Sequence, residues 1–253
     1  MAKMQKIIWL MVLLFVVLNS STLYAKCNSK IIVAIIDTGF GFAGRGRDAK
    51  LCQIGHRDFT GENTFTYNYN TKDPIPSDNV GHGTNIVGII ENYAGQTNVN
   101  YCIVILKAFG NRVDTLRSTI DAINYATSIG VKYINYSAGG YGPSLEERIS
   151  VLSFLDHGGT LVAAAGNEGL DLDFPFRRHY PSSYDPRVIS VGMLNRDGTV
   201  ARCSNYGKSV KRWEIGEYVV GFGIELSGTS QSTAVATGKI LSGDKNKCDI
   251  GSK

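Results

Sequence analysis

The sequence has no internal repeat, no low-complexity tract and no proline-, glycine- and serine-rich linker. Their absence argues against solenoids and strings of tethered modules, and leaves one large domain as the expectation for a chain of 253 residues. A strong field of one sign is missing as well. The formal net charge is +4 and falls to +2 once residues 1–25, which carry Lys3 and Lys6 and no acid, are taken away. Short basic pairs such as Arg177–Arg178 and Lys211–Arg212 do not make a polyanion-binding surface, so no nucleic-acid partner is expected. The N-terminal apolar run, Ile7–Leu18, has 12 residues, short of the roughly 20 that a spanning helix needs.

That run has the layout of a secretory signal instead: Lys3 and Lys6 in front, then the apolar stretch, then the polar residues Asn19–Thr22. Cleavage after about Ala25 is expected, leaving residues 26–253 as a secreted or periplasmic chain without a membrane anchor. Cys27 is not read as a lipidation site, because Lys26 stands where a small residue would have to precede it. Five cysteines in an exported chain imply disulfides with one thiol left over, in a pairing that sequence alone does not fix. Hydrophobic residues make up 43% of the chain and charged residues 19%, ample for a sizeable core.

The runs KIIVAIID, YCIVILKAF, VKYINYS, TLVAAAG and VISVGML are continuous and rich in Val and Ile, as parallel strands covered on both faces must be. Helical periods lie between them. In SLEERISVLSFLDHGG, Ser144 and Glu147 have capping-box spacing, Leu145, Ile149, Leu152 and Leu155 recur as an apolar stripe, and Gly158 stops the helix. In TLRSTIDAINYATSIG the stripe is Leu116, Ile120 and Ile123, ended by Gly130. The pattern predicts an α/β fold: an open, mostly parallel β-sheet with helices on both faces and ligands beyond the carboxyl ends of the strands.

Four polar positions stand out at such places. Asp37 ends the strand in IIDTG. His82 is flanked by glycines in DNVGHGTNIVGII, at a helix start that disfavours a charged imidazole unless a carboxylate offsets it. Asn167 follows a strand in LVAAAGNEG. Ser230, in ELSGTSQSTAVATG, precedes small residues that predict a helix from about Gln231 to Ile240, so its hydroxyl sits where backbone N–H groups are free and the dipole favours negative charge. Taken singly, each has a commonplace alternative as a cap, a turn residue or a surface group. Together they follow the order aspartate, histidine, serine, for which subtilisin serves as the general example.

With these motifs the sequence resembles the subtilisin-like serine peptidases from about Lys30 to Ile240. AIIDTG is similar to the family's aspartate motif, GHGTNIVGII to its histidine motif, INYSAGG to its substrate-binding strand, VAAAGNEG to its oxyanion motif and SGTSQSTAVATG to its serine motif. The resemblance implies Asp37, His82 and Ser230 as a catalytic triad, with Asn167 and the Ser230 N–H as an oxyanion hole. It implies a substrate-binding strand at Ser137, Ala138 and Gly139, and Ala164, Ala165 and Gly166 as the opposite wall of the primary pocket. The substrates would be polypeptides and the enzyme a monomer. Glu168, beside Asn167, suggests acceptance of basic side chains. Two other readings share these motifs: a peptide-binding relative without catalysis, and a hydrolase of small esters.

Several departures bear on that expectation. Only about ten residues separate Ala25 from Asp37, so no prodomain is apparent. Ala234 stands where the serine motif usually has proline, and Gln231 and Ser232 replace its usual Met-Ala pair. The tail after Gly238 is short. The family fold makes Cys52 and Cys102 the first candidate pair, with Cys27 and Cys248 tying the termini and Cys203 left as the free thiol. No cofactor is identified; structural calcium is frequent in the family, but no ligand cluster is specific enough to name a metal site.

Overall fold

The computed structural model describes residues 30–66, 71–111 and 115–243; the signal segment, Cys27 and Cys248 lie outside them. Thirteen strands are present among the described residues: β1 (Ile31–Asp37), β2 (Arg57–Asp58), β3 (Phe65–Thr66), β4 (Ile75–Pro76), β5 (Tyr101–Lys107), β6 (Tyr133–Tyr136), β7 (Gly140–Tyr141), β8 (Thr160–Ala164), β9 (His179–Tyr180), β10 (Ile189–Leu194), β11 (Arg212–Ile215), β12 (Val219–Gly221) and β13 (Ile224–Leu226). The helices are α1 (His82–Ala94), α2 (Thr115–Ser128), α3 (Leu145–Asp156) and α4 (Thr229–Gly243).

Seven strands form one sheet in the order β11-β10-β8-β6-β1-β5-β2, with every pairing parallel. The five apolar runs of the sequence are its β1, β5, β6, β8 and β10. Successive strand residues face opposite sides, and each side has its own core. Val33 and Ile35 join Ile86, Val87, Ile89 and Ile90 of α1 and Ala234 and Val235 of α4. Ala34 and Ile36 join Ala122 and Ile123 of α2 and Val151 and Phe154 of α3. The chain builds outward from β1 to one edge through β5 and β2, then returns to β1's other side with β6. That reversal opens a crevice at the carboxyl ends of β1 and β6.

The first helix packs without side chains in the way. A Cβ on Gly88 would lie 2.5 Å from the Phe222 nitrogen, and one on Gly221 would lie 2.0 Å from the Asn85 carbonyl oxygen. The hairpin of β12 and β13 can therefore lie directly on the backbone of α1.

Helix α3 corrects the expected apolar stripe. Ser144 caps it, accepting from the Glu147 N–H at 3.3 Å, but Leu145 is 73% and Ile149 58% exposed, while Val151, Phe154 and Leu155 are buried. Glu147 is buried with them. Its carboxylate accepts from the Tyr184 hydroxyl at 2.7 Å, and that hydroxyl accepts from the Ser144 N–H at 2.8 Å. A paired carboxylate made the inward face more polar than the sequence stripe suggested. The serine helix, too, is longer than its expected span, running three residues beyond Ile240.

Cys52 and Cys102 form a disulfide, and Cys203 is free and exposed. Cys52 is not itself in a strand. It follows Leu51, which bridges to Ile103, and its N–H donates to the Ile103 carbonyl at 2.8 Å.

Candidate active site

Asp37 is the last residue of β1, at the carboxyl end of the sheet. One carboxylate oxygen, Oδ1, accepts from the Thr38 N–H at 2.7 Å and lies 2.7 Å from His82 Nδ1. The other, Oδ2, is buried with no partner among the described residues. Asp37 is 2% exposed, so its pairing with the imidazole takes place largely out of water. Burial lowers the His82 pKa, but the Asp37 charge, the hydrogen bond to it and the Asp78 charge outweigh that and raise it above the ordinary histidine value. The carboxylate offset expected at this helix start is thus in place.

Ser230 stands in the first turn of α4. Its hydroxyl donates to the Ser137 carbonyl at 2.8 Å, and the Ser137 hydroxyl donates to the Ser230 carbonyl at 3.0 Å. Asn135 Nδ2 holds the Ser137 hydroxyl at 2.8 Å, and Thr237 Oγ1 donates to Asn135 Oδ1 at 2.8 Å. The end of β6 and the start of α4 are therefore stitched together. Among the described residues no hydrogen bond joins Ser230 to His82. Asn167, one residue beyond the buried stretch Ala164–Gly166, accepts the Thr229 N–H at Oδ1, 2.8 Å, which leaves its Nδ2 as the free donor side of the amide. Ser137 is buried, while Ala138 is half-buried and Gly139 exposed. Beyond Asn167 lies a cleft of about 730 Å³ lined by Glu168, Met193, Cys203, Tyr218 and Ser227 among others.

The crevice thus gathers residues from β1, α1, the end of β6, the end of β8 and α4, and the family comparison covers all of these segments. The model described as the subtilase family matches residues 28–242. The chain belongs to the subtilase family.

Among the relatives of this subtilase is alkaline protease 1 of Aspergillus clavatus, 32% identical over 218 aligned residues that cover 78% of this chain and 51% of that protein. Another is the major intracellular serine protease of Bacillus subtilis, 28% identical over 243 residues, covering 88% and 72%. The chain spans about half the length of the Aspergillus relative. Among solved structures, the nisin leader peptidase NisP of Lactococcus lactis shares the fold with a TM-score of 0.69 at 21% identity, over 89% of this chain and 81% of that one.

Three side chains that shape this subtilase's crevice were not singled out from sequence. Asp78 takes the Val80, Gly81 and Thr84 N–H groups at 2.8–2.9 Å and the Thr38 hydroxyl at 3.0 Å. It caps α1 and fixes His82 relative to Asp37. Its pKa is lowered: burial would raise it, but the hydrogen bond from the Thr84 hydroxyl at 2.6 Å and those from the Gly81, Thr84 and Val80 N–H groups outweigh that. The signal was present in the sequence as an aspartate four residues ahead of His82, just before a helix. Asn85 lies one turn beyond His82, donates to the Val219 and Ile224 carbonyls at 3.2 and 2.8 Å, and accepts from Gln231 Nε2 at 3.0 Å. Gln231, one of the departures from the usual serine motif, thereby ties the histidine helix to the serine helix. Lys107, 1% exposed, pairs with Glu62 at 2.8 Å and donates to the Ser77 carbonyl at 2.8 Å. Among the described residues no cluster of three or more His, Cys, Asp or Glu is arranged to hold a metal ion, and no helix is long and apolar enough to cross a membrane.

Proposed function

We propose that this subtilase is an exported serine endopeptidase that hydrolyses peptide bonds in polypeptides through Asp37, His82 and Ser230. The observation that carries the reading is the 2.7 Å hydrogen bond between buried Asp37 and His82 Nδ1, which leaves Nε2 as the ring nitrogen able to take a proton from an alcohol. A serine hydroxyl is a weak nucleophile until a base takes its proton. On this reading Ser230 Oγ must leave the Ser137 carbonyl for His82 Nε2 through a change of χ1 rotamer. Oγ then attacks the scissile carbonyl carbon, its proton passes to His82, and Asp37 stabilises the imidazolium. Negative charge gathers on the carbonyl oxygen, where Asn167 Nδ2 and the Ser230 N–H donate to it. Collapse of the tetrahedral adduct breaks the C–N bond as His82 returns the proton to the leaving amine, and water releases the acyl group by the reverse sequence.

The substrate backbone would extend the edge offered by Ser137, Ala138 and Gly139 as an added strand, with Ala164, Ala165 and Gly166 opposite. A second reading, a peptide-binding module without catalysis, is favoured by the hydroxyl of Ser230 being bonded to Ser137 rather than to His82. Labelling with a fluorophosphonate separates the two: a Ser230 adduct, with casein digestion abolished in Ser230→Ala, supports the peptidase. An intact, folded protein that takes no label refutes it. Export is tested separately, by finding the chain outside the cytoplasm with its N-terminus near residue 26.

A further inference from the structure

We propose that His179 fills the primary pocket, so that the enzyme cleaves after residues with very short side chains; this inference rests on the peptidase reading above. Strand β9 brings His179 to the crevice by pairing with β7, in a register that sets Tyr141 opposite His179. The imidazole spans the gap between the two walls. On one side a Cβ at Gly139 would lie 2.3 Å from His179 Cε1, and on the other a Cβ at Gly166 would lie 2.9 Å from His179 Cδ2. Only glycine on both walls lets the ring in.

The ring is also held in place. Nδ1 donates to the Ala164 carbonyl at 3.2 Å, the Tyr141 ring meets it edge-on with centroids 5.5 Å apart, and the residue is 4% exposed. Burial pushes its pKa down, more than Glu168 and the Ala164 carbonyl push it up, so around neutrality the plug is an uncharged ring.

Glu168, expected from sequence to attract a basic side chain, is already engaged. Its Oε2 accepts from the Tyr141 hydroxyl at 2.5 Å and from Asn205 Nδ2 at 2.8 Å, while Asn205 Oδ1 holds the Leu170 N–H at 2.8 Å. A lysine or arginine entering here would meet the imidazole before the carboxylate and would have to displace two donors. A phenylalanine or leucine would collide with the same ring. Glycine, alanine and serine need no room beyond it.

The test uses peptides identical except for Gly, Ala, Phe or Lys on the acyl side of the cleaved bond, with active enzyme counted by fluorophosphonate titration. Discrimination by pocket size is worth on the order of 10–200-fold. The expected result is therefore kcat/KM about 100-fold higher for Ala than for Phe or Lys in the natural protein. His179→Gly should shift the Phe-to-Ala ratio at least tenfold toward Phe, and His179→Ala should shift it in the same direction. Because the natural protein's own profile is part of the measurement, a variant that misfolds does not suspend the test. Titratable enzyme that cleaves after Phe or Lys as readily as after Ala overturns the plug and leaves the peptidase reading standing. Absence of both titration and cleavage overturns the peptidase reading and the plug with it.

Discussion

Breaking the disulfide between Cys52 and Cys102 should cost much of the protein's stability and little of its chemistry. The bond closes a loop of sequence separation 50. In the chain-entropy relation such a loop removes roughly 14 cal/mol/K from the unfolded chain, about 4 kcal/mol at 25 °C. For a domain of this size each kcal/mol moves the midpoint by about 2–4 °C, so Cys52→Ala/Cys102→Ala should melt about 8–16 °C below the natural protein. The loop contains both Asp78 and His82, yet their native positions depend on β1, Thr38 and the cap of α1 rather than on the sulfur bridge. Peptide hydrolysis at 25 °C should then stay within about twofold. Calorimetry of the two proteins, with turnover measured well below both midpoints, tests the argument. A midpoint shift under 3 °C would show that packing of β5 and its neighbours already orders this segment. A large loss of activity in the folded variant would show that the bridge positions His82.

Other consequences can be measured with equal directness. Because the His82 pKa is raised, kcat/KM should fall on the acid side with an apparent pKa above the usual histidine value, and Asp37→Asn should lower turnover by about 10⁴-fold. The same shift has the opposite sign for stability: a raised folded-state pKa stabilises fully below the unfolded value and is lost as pH rises through the folded one. Its contribution to unfolding free energy should therefore be greatest where the enzyme is least active, which denaturant titrations across pH will show. A double-mutant cycle on Asn85→Ala and Gln231→Ala should give a coupling of about 0.5–3 kcal/mol in stability, and strict additivity would remove the bracket between the two helices. Lys107→Ala should destabilise by about 1–3 kcal/mol, since it removes a buried ammonium's ion pair with Glu62 and its hydrogen bond to the Ser77 carbonyl, and a midpoint equal to the natural protein's would disprove that.

Much of the molecule could be read from the chain before folding. The five inner strands announced themselves as runs of Val and Ile, because a strand covered on both sides has no polar face to interrupt it. Asp37, His82, Asn167 and Ser230 were visible as polar residues just past such runs or at helix starts. What stayed hidden depends on partners distant in sequence. Leu145 and Ile149 mark one plausible face of α3, but Tyr184, 37 positions beyond Glu147, neutralises the cost of turning the other face inward. His179 sits in a two-residue strand with no periodicity to announce it, and its place between Gly139 and Gly166 follows from pairing with β7 alone. The disulfide was anticipated only through the family resemblance, since spacing gives no pairing rule. Gln231 looked like a defect in the serine motif until its partner Asn85 was known.

The stitching of Ser137 to Ser230 has a consequence for how this molecule comes into being. A growing or refolding chain that has formed β1 and α1 already holds Asp37 against His82, but the alcohol arrives on the last described helix and is anchored to a strand end almost a hundred residues upstream. On the peptidase reading, a sub-assembly without that docking has the imidazole and carboxylate but not the alcohol they would activate. Docking of the serine helix against the end of β6 is then the step that completes the proposed site, whichever element forms first.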